Sequence, residues 1–186
     1  MIKSKEEKKI MAIGKRGGWL TEDGGFDITK FPIDGALKKL QSDDFEEFRS
    51  GVDTLRAMQK AGRFEAGVFL MGSLMNTSLD ELKKRIIIVE ALENFKTRGC
   101  ADLLFYELKR VKSSNVTKKY INTILKTLSG FDMELIRTGF EELINDKNTT
   151  YRMKNKFKEI IGIKVTSDED YDFFYKLKKY GNLEIH

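Results

Sequence analysis

Beyond residue 35, apolar side chains recur at every third or fourth position of the chain. Side chains at this spacing lie on one face of an α-helix, so the pattern predicts a series of amphipathic helices. The single proline, Pro32, precedes this region and therefore interrupts none of them. Because the segments between the helices are short, we expect antiparallel pairs. The predicted helices cover residues 43–61, 63–75, 79–97, 100–112, 115–129, 132–145, 150–161 and 168–180.

Two of these helices begin with residue pairs that are typical of helix N-termini. Asp43 is followed three residues later by Glu46, and Ser78 is followed by Glu81. In the helix at 43–61, the residues predicted to face the core are Phe45, Phe48, Val52, Leu55 and Met58. In the next helix, the residues predicted to face the core are the large side chains Phe64, Val68, Met71 and Met75.

The first 34 residues differ from the rest, since they contain a Gly-rich stretch from Gly14 to Gly25. We expect an irregular segment with a small hairpin, in which Asp23-Gly24-Gly25 forms the turn. The run Gly14-Lys15-Arg16-Gly17-Gly18 places cations beside glycines, as anion-binding loops do. It lacks the spacing of a P-loop, because neither lysine nor a hydroxyl residue follows its second glycine. We interpret it as a flexible turn, with an anion contact as the alternative.

The helical pattern repeats at an interval of 32 residues, the distance from Leu103 to Leu135. Gly130 and Gly162 align at the same interval, and an earlier pair of helices aligns less regularly, at 34 and 35 residues. A fixed period between helical pairs is typical of α-solenoids. The aligned apolar residues are Leu103, Leu104, Leu108 and Val111 with Leu135, Ile136, Phe140 and Leu143, and Ile121, Leu125 and Leu128 with Met153, Phe157 and Ile160.

This array of helical pairs resembles the HEAT and armadillo-like α-solenoids. The repeat unit is shorter than usual for HEAT proteins, and the first helix of each unit lacks the proline that often bends it. The resemblance implies an all-α superhelix of about three helical pairs, with a single helical-repeat domain at 35–186 after the irregular segment 1–34. A non-repetitive helical bundle is the alternative. The implied units lie near 62–98, 99–130 and 131–162, with cap helices at 43–61 and 167–180.

Composition limits the chemistry that this chain can perform. Of its 186 residues 40% are hydrophobic and 34% are charged, which is typical of a globular domain. Its one histidine is His186 and its one cysteine is Cys100. Ser-His catalysis needs an internal histidine, and zinc sites need several histidines or cysteines. We therefore expect a non-enzymatic protein without metal or cofactor. The lone cysteine favours the reducing cytoplasm, and the absence of a long apolar run indicates no membrane contact.

Positive charge is concentrated in the second helices of the two aligned repeats. The 34 lysines and arginines exceed the 29 acids by five, and 115–130 holds three lysines without an acid. Residues 147–164 hold six cations against one acid. In a HEAT-like solenoid the second helices line the concave groove, so the resemblance implies a basic groove. At 100° per residue, the polar side chains opposite the apolar stripes form two matching ridges, Lys119, Asn122 and Lys126 and then Lys154, Asn155 and Lys158.

Two binding functions fit this groove, which in the earlier unit is mostly apolar because of Ile87 and Ile88. A protein partner would bring an acidic segment to the lysines and an apolar anchor to these isoleucines, and this is our first hypothesis. Nucleic acid would instead bring phosphates to the lysines, with the asparagines adding hydrogen bonds. A DNA-glycosylase-like enzyme ranks third, since the sole tryptophan, Trp19, lies outside the repeats. A solvated lysine face is the alternative without function.

Overall fold

The computed structural model describes residue 27 and residues 30–162. These residues form an all-α structure that is 72% helical and contains no strand. The predicted all-α class is therefore confirmed for the described part of the chain. The predicted hairpin around Gly24 and the predicted cap helix at 167–180 lie outside the described residues.

Eight α-helices follow one another within the described residues, and seven of them correspond to predicted helices. The first, short helix has no counterpart in the sequence prediction. The chain divides into two compact units, residues 1–132 and residues 133–186. The first unit contains α1 (Asp34–Lys39), α2 (Phe45–Lys60), α3 (Phe64–Asn76), α4 (Leu82–Ala91) with a 3-10 turn at Leu92–Asn94, α5 (Arg98–Arg110) and α6 (Lys118–Ser129). The second unit contains α7 (Met133–Asn145) and α8 (Tyr151–Ile160).

α2 forms where its sequence predicts, with a shift of one residue at its start. Its N-cap is Asp44, whose carboxylate accepts a hydrogen bond from the backbone N–H of Glu47 at 2.8 Å. Gly62 follows the end of the helix with a φ of 92°, a conformation that glycine adopts without steric cost. Four of the five predicted core residues are buried, namely Phe48, Val52, Leu55 and Met58.

α3 buries a different face from the one that its sequence predicts. Phe64, Val68 and Met75 are 62%, 48% and 65% exposed. Gly67 explains this orientation, because a Cβ at this position would lie 2.3 Å from the ring of Phe95. Small residues let a neighbouring side chain approach the helix closely. The close contact with Phe95, and not the size of the apolar side chains of α3, therefore determines which face of α3 is buried. The buried residues are Ala66, Gly67, Leu70 and Leu74.

α4 lies at the centre of the first unit, where it contacts α2, α3 and α6. The second helices of successive pairs, α2, α4 and α6, therefore pack in a row. α4 begins at Leu82, three residues later than predicted, because residues 79 and 80 form a turn. The predicted capping residues do meet, since the backbone N–H of Ser78 donates to the Glu81 carboxylate at 3.3 Å.

A buried ion pair connects four helices of the first unit. Arg85 on α4 is fully buried, and its guanidinium donates to the carboxylate of Glu107 on α5. The same guanidinium donates to the carbonyl oxygens of Leu74 and Thr77 at the C-terminal end of α3. Its Nε donates to the Tyr120 hydroxyl on α6 at 3.2 Å, and that hydroxyl donates to Glu107 at 2.7 Å. The carbonyls at the end of α3, which lack partners within the helix, are thereby satisfied.

The described part of the second unit, residues 133–162, consists of the packed helices α7 and α8. The rings of Phe140 and Phe157 lie between them, with centroids 5.4 Å apart. Thr150 caps α8 by accepting a hydrogen bond from the backbone N–H of Met153 at 3.4 Å. This unit therefore has an aromatic core of its own.

The repeat interval of 32 residues is only partly reproduced. A shift of the bounds of α6 by 32 residues gives 150–161, which matches α8 within one residue at each end. The same shift of the bounds of α5 gives 130–142, so that the shifted helix begins and ends three residues before α7 does. Gly130 has a φ of −87° whereas Gly162 has a φ of 73°, so the two second helices end differently. The helical pairs are compatible with a helical-repeat fold, and the superhelix itself stays a prediction.

Two glycines of α3 offer a matched test of its packing. Gly67→Ala places a methyl group against the Phe95 ring, and we expect it to lower the free energy of unfolding by about 1–3 kcal/mol. Gly72→Ala places the same group where no atom lies within 4 Å. Its higher helix propensity should raise the free energy of unfolding by up to about 1 kcal/mol. Urea unfolding at low protein concentration measures both, and equal effects would contradict the contact of Phe95 with Gly67.

Removal of one partner of the buried ion pair should be strongly destabilising. We expect Arg85→Met or Glu107→Met to lower the free energy of unfolding by about 3–5 kcal/mol, because each leaves a buried charge without its main partner. The double variant should cost less than the sum of the two single variants. The control is the partly exposed pair of Arg56 and Glu93, whose charged groups lie 3.4 Å apart. Replacement of one of these two residues should lower the free energy of unfolding by less than about 1 kcal/mol. Additive costs at Arg85 and Glu107 in urea unfolding would refute their coupling.

Candidate functional site

The loop before α6 is held by two hydroxyl side chains. The backbone N–H of Ser114 donates to Thr117 Oγ1 at 2.9 Å, and the backbone N–H of Thr117 donates to Ser114 Oγ at 3.2 Å. The Thr117 hydroxyl donates to the carbonyl oxygen of Lys112 at 2.7 Å. Such local bonds fix where a helix starts, and thereby the direction in which α6 presents its side chains.

α6 has a buried apolar face and an exposed polar face. Its buried residues include Tyr120, Ile121, Ile124, Leu125 and Leu128. Its polar face, which we call the basic face of α6, lines a shallow depression of about 430 Å³ and consists of Asn115, Lys118, Lys119, Asn122, Thr123 and Lys126. The predicted site residues Lys119, Asn122 and Lys126 therefore lie together, and all three are exposed.

No acidic residue lies near the basic face along the chain. The sequence contains no aspartate or glutamate between Glu107 and Asp132. Glu107 itself is buried with Arg85, and one of its oxygens lies 2.9 Å from Nη2 of Arg110. Lys112 in the loop before α6 is exposed and extends the positive charge. The segment without negative charge is therefore longer than residues 115–130, and its positive field attracts anions.

The second predicted ridge lies on α8 in the other unit. Lys154, Asn155 and Lys158 are partly buried there, in contrast to their counterparts on α6. The side-chain oxygen of Asn155 is buried and has no hydrogen-bond partner among the described residues. α6 and α8 belong to different units. One groove that contains both ridges stays a prediction.

The predicted apolar end of the groove needs a correction. Ile88 is fully buried and Ile87 is partly buried, so Ile88 is not available to a partner. The reason is the central position of α4, which is enclosed by α2, α3 and α6. Lys84 on the same helix is also engaged, since it pairs with Glu81 at 2.8 Å and lies 5.0 Å from the centroid of the Phe48 ring.

A larger groove, which the sequence did not predict, lies along α1 and α2. It has a volume of about 770 Å³, and its charged residues are Lys39, Glu46, Arg49 and Asp53. Lys39 donates to the Ser50 hydroxyl at 2.9 Å, and the two signs of charge balance one another. The groove depends on α1, whose position depends on Gly51, because a Cβ there would lie 2.9 Å from the carbonyl oxygen of Ala36. Sequence periodicity missed it because α1 is too short to show a helical period.

Other kinds of chemistry have little support in the described residues. They contain no group of three or more histidine, cysteine or acidic side chains that could hold a metal ion. Burial raises the pKa of the Cys100 thiol to about 12, so this thiol stays protonated and is a poor nucleophile at neutral pH. Among the described helices, none combines the length and the apolar character needed to cross a bilayer.

Comparison with known proteins does not extend these findings. No protein-family model matches the chain, and searches of curated proteins and of solved structures give no match either. The similarity to HEAT and armadillo-like proteins therefore depends on the helical pairs and their spacing alone.

The buried thiol makes the stability of the chain depend on pH in alkaline solution. The ordinary pKa of cysteine is 9.0, and burial raises that of Cys100 to about 12. Between these values the unfolded chain releases a proton that the folded chain retains, so the free energy of unfolding falls as pH rises above about 9. We expect the free energy of unfolding of Cys100→Ala to fall less than that of the wild-type chain between about pH 8 and pH 11. Urea unfolding at several pH values measures this, and equal falls in both proteins would contradict the effect.

Proposed function

We propose that this chain is a non-enzymatic binding module that holds nucleic acid against the basic face of α6. The observation that carries the proposal is the group of exposed lysines in a segment without acidic residues, from Glu107 to Asp132. Lysines at such positions bind phosphates and release counterions, a source of affinity that does not depend on base sequence. Lys154 and Lys158 on α8 are the further phosphate contacts in this proposal.

The HEAT-like superhelix is part of the same proposal. The packing of α2, α4 and α6 in a row supports it, because solenoids stack the equivalent helices of successive units. α7 and α8 form the next helical pair along the chain.

The burial of Ile88 favours nucleic acid over the acidic protein segment that ranked first in the sequence analysis. That hypothesis combined lysines with an apolar anchor on α4, and Ile88 is not accessible. The basic face of α6 has only polar side chains, and phosphate binding requires no apolar contact. An acidic protein segment remains the second candidate, because Val116 is 76% exposed beside Asn115 and offers an apolar contact.

Salt dependence distinguishes a true phosphate contact from general attraction. If four lysines contact phosphates, the logarithm of affinity should fall with the logarithm of salt concentration with a slope of about −3. Lys119→Ala with Lys126→Ala removes two contacts, so the slope should become less steep by about 1.5 to 2. Fluorescence anisotropy of labelled single-stranded and duplex oligonucleotides, measured with the full chain, gives both slopes.

The control removes two positive charges from another part of the first unit. Lys60 and Lys96 are exposed and lie outside the basic face, so Lys60→Ala with Lys96→Ala should leave the slope nearly unchanged. If both double variants made the salt slope less steep by the same amount, affinity would depend on net charge alone. The absence of binding at about 50 mM salt would exclude nucleic acid, since phosphate contacts are strong at low salt. Tighter binding of an acidic peptide, with loss on Val116→Glu, would favour the second candidate.

A further inference from the structure

α3 presents an apolar surface that the described part of the chain leaves largely exposed, although the centroids of the Phe64 and Phe95 rings lie 5.0 Å apart. Phe64, Val68 and Met75 lie along one side of the helix, while Phe69 on the same helix and Leu79 in the turn after it are 40% and 42% exposed. We call these five residues the apolar stripe of α3. Soluble monomers rarely expose so many large apolar side chains in one short segment, and such patches mark interaction surfaces.

The charge of α3 indicates what kind of partner fits this stripe. Glu65 is the one ionisable residue of the helix, and its carboxylate lies 2.7 Å from Nε of Arg63. The stripe is therefore electrically neutral on a chain whose net charge is +5. Two copies of a positively charged chain repel each other least where their contact surfaces carry no charge. A polyanion, in contrast, would find no cation to bind there.

The spacing of residues along the stripe makes it complementary to itself. Phe64, Val68 and Gly72 are four residues apart, so they form a ridge of the kind that packs into the groove of another helix. In an antiparallel pair centred on Val68, Phe64 of each copy faces Gly72 of the other copy. Among the described residues, no side chain and no backbone outside α3 lies within 4 Å of a Cβ at Gly72, so a partner side chain can approach this position closely. The axes of two helices that pack through such ridges cross at an angle of about −50°.

We propose that two copies of this chain form a symmetric dimer through the apolar stripe of α3. The five side chains expose on the order of 400 Å² of apolar surface per copy, and their contact would bury about 800 Å² before neighbouring residues are counted. This area is smaller than the roughly 1,200 Å² of stable interfaces, so we expect a weak and reversible dimer, with a dissociation constant on the order of 10 µM or higher. The dimer does not depend on the proposed nucleic-acid site, because the residues of that site lie on α6 and α8.

Sedimentation velocity of the full chain without nucleic acid tests the dimer. From about 1 to 200 µM, a range that brackets the expected dissociation constant, the wild-type chain should shift from monomer to dimer. Val68→Glu places two carboxylates opposite each other and should weaken the dimer at least tenfold. Val116→Glu is the matched control, since Val116 is more exposed than Val68 and lies outside the stripe. A wild-type chain that stays monomeric, or a Val68→Glu dimer of unchanged affinity, would overturn the proposal.

Two further variants test the symmetry of the contact. A mixture of Val68→Glu and Val68→Lys should form a mixed dimer, although each variant alone stays monomeric, because residue 68 faces its own counterpart. Gly72→Ala should weaken the dimer by filling the space for Phe64, while it raises the melting temperature of the monomer. This opposite effect excludes misfolding as the cause of dissociation. Failure of the mixture to associate, or an unweakened Gly72→Ala dimer, would overturn this arrangement.

Discussion

The guanidinium of Arg85 must find all its hydrogen-bond partners within the protein, because no part of its side chain reaches water. Glu107 supplies the compensating charge, Tyr120 supplies a hydroxyl, and two carbonyls at the end of α3 supply the remaining acceptors. These partners lie on α3, α5 and α6, so the positions of three helices relative to α4 are linked through one side chain. An unsatisfied charge at this depth would be costly, and alternative arrangements of these helices are disfavoured for that reason.

Close fit imposes the second constraint on the first unit. Gly67 and Gly51 lie where a methyl group would meet the Phe95 ring or the backbone of α1. α3 therefore turns its small residues inward and leaves Phe64 and Met75 at the surface. The apolar stripe that results is a consequence of efficient packing elsewhere, because the helix cannot bury both of its apolar faces against α2, α4 and the 3-10 turn.

The first unit consequently has two surfaces of opposite character. The basic face of α6 carries lysines without nearby acids along the chain and suits a polyanion. The apolar stripe of α3 carries almost no charge and suits another apolar surface. The two surfaces lie on different helices, so the proposed dimer contact and the proposed polyanion contact use different residues. A dimer would present two basic faces, and linked sites of this kind raise overall affinity for a long polymer.

The sequence by itself determined the all-α class, most helix boundaries to within a few residues, and the exposed lysines of α6. These properties depend on local periodicity, on acidic capping residues such as those before α2, and on charge, all of which can be read along the chain. Only the tertiary structure decided which face of α3 is buried, and that Ile88 lies inside. A helix with apolar residues on more than one side has no unique inward face until its neighbours are in place. The choice then depends on which residues are small enough for close contact, as Gly67 is for Phe95, and on which buried charges find partners, as Arg85 does.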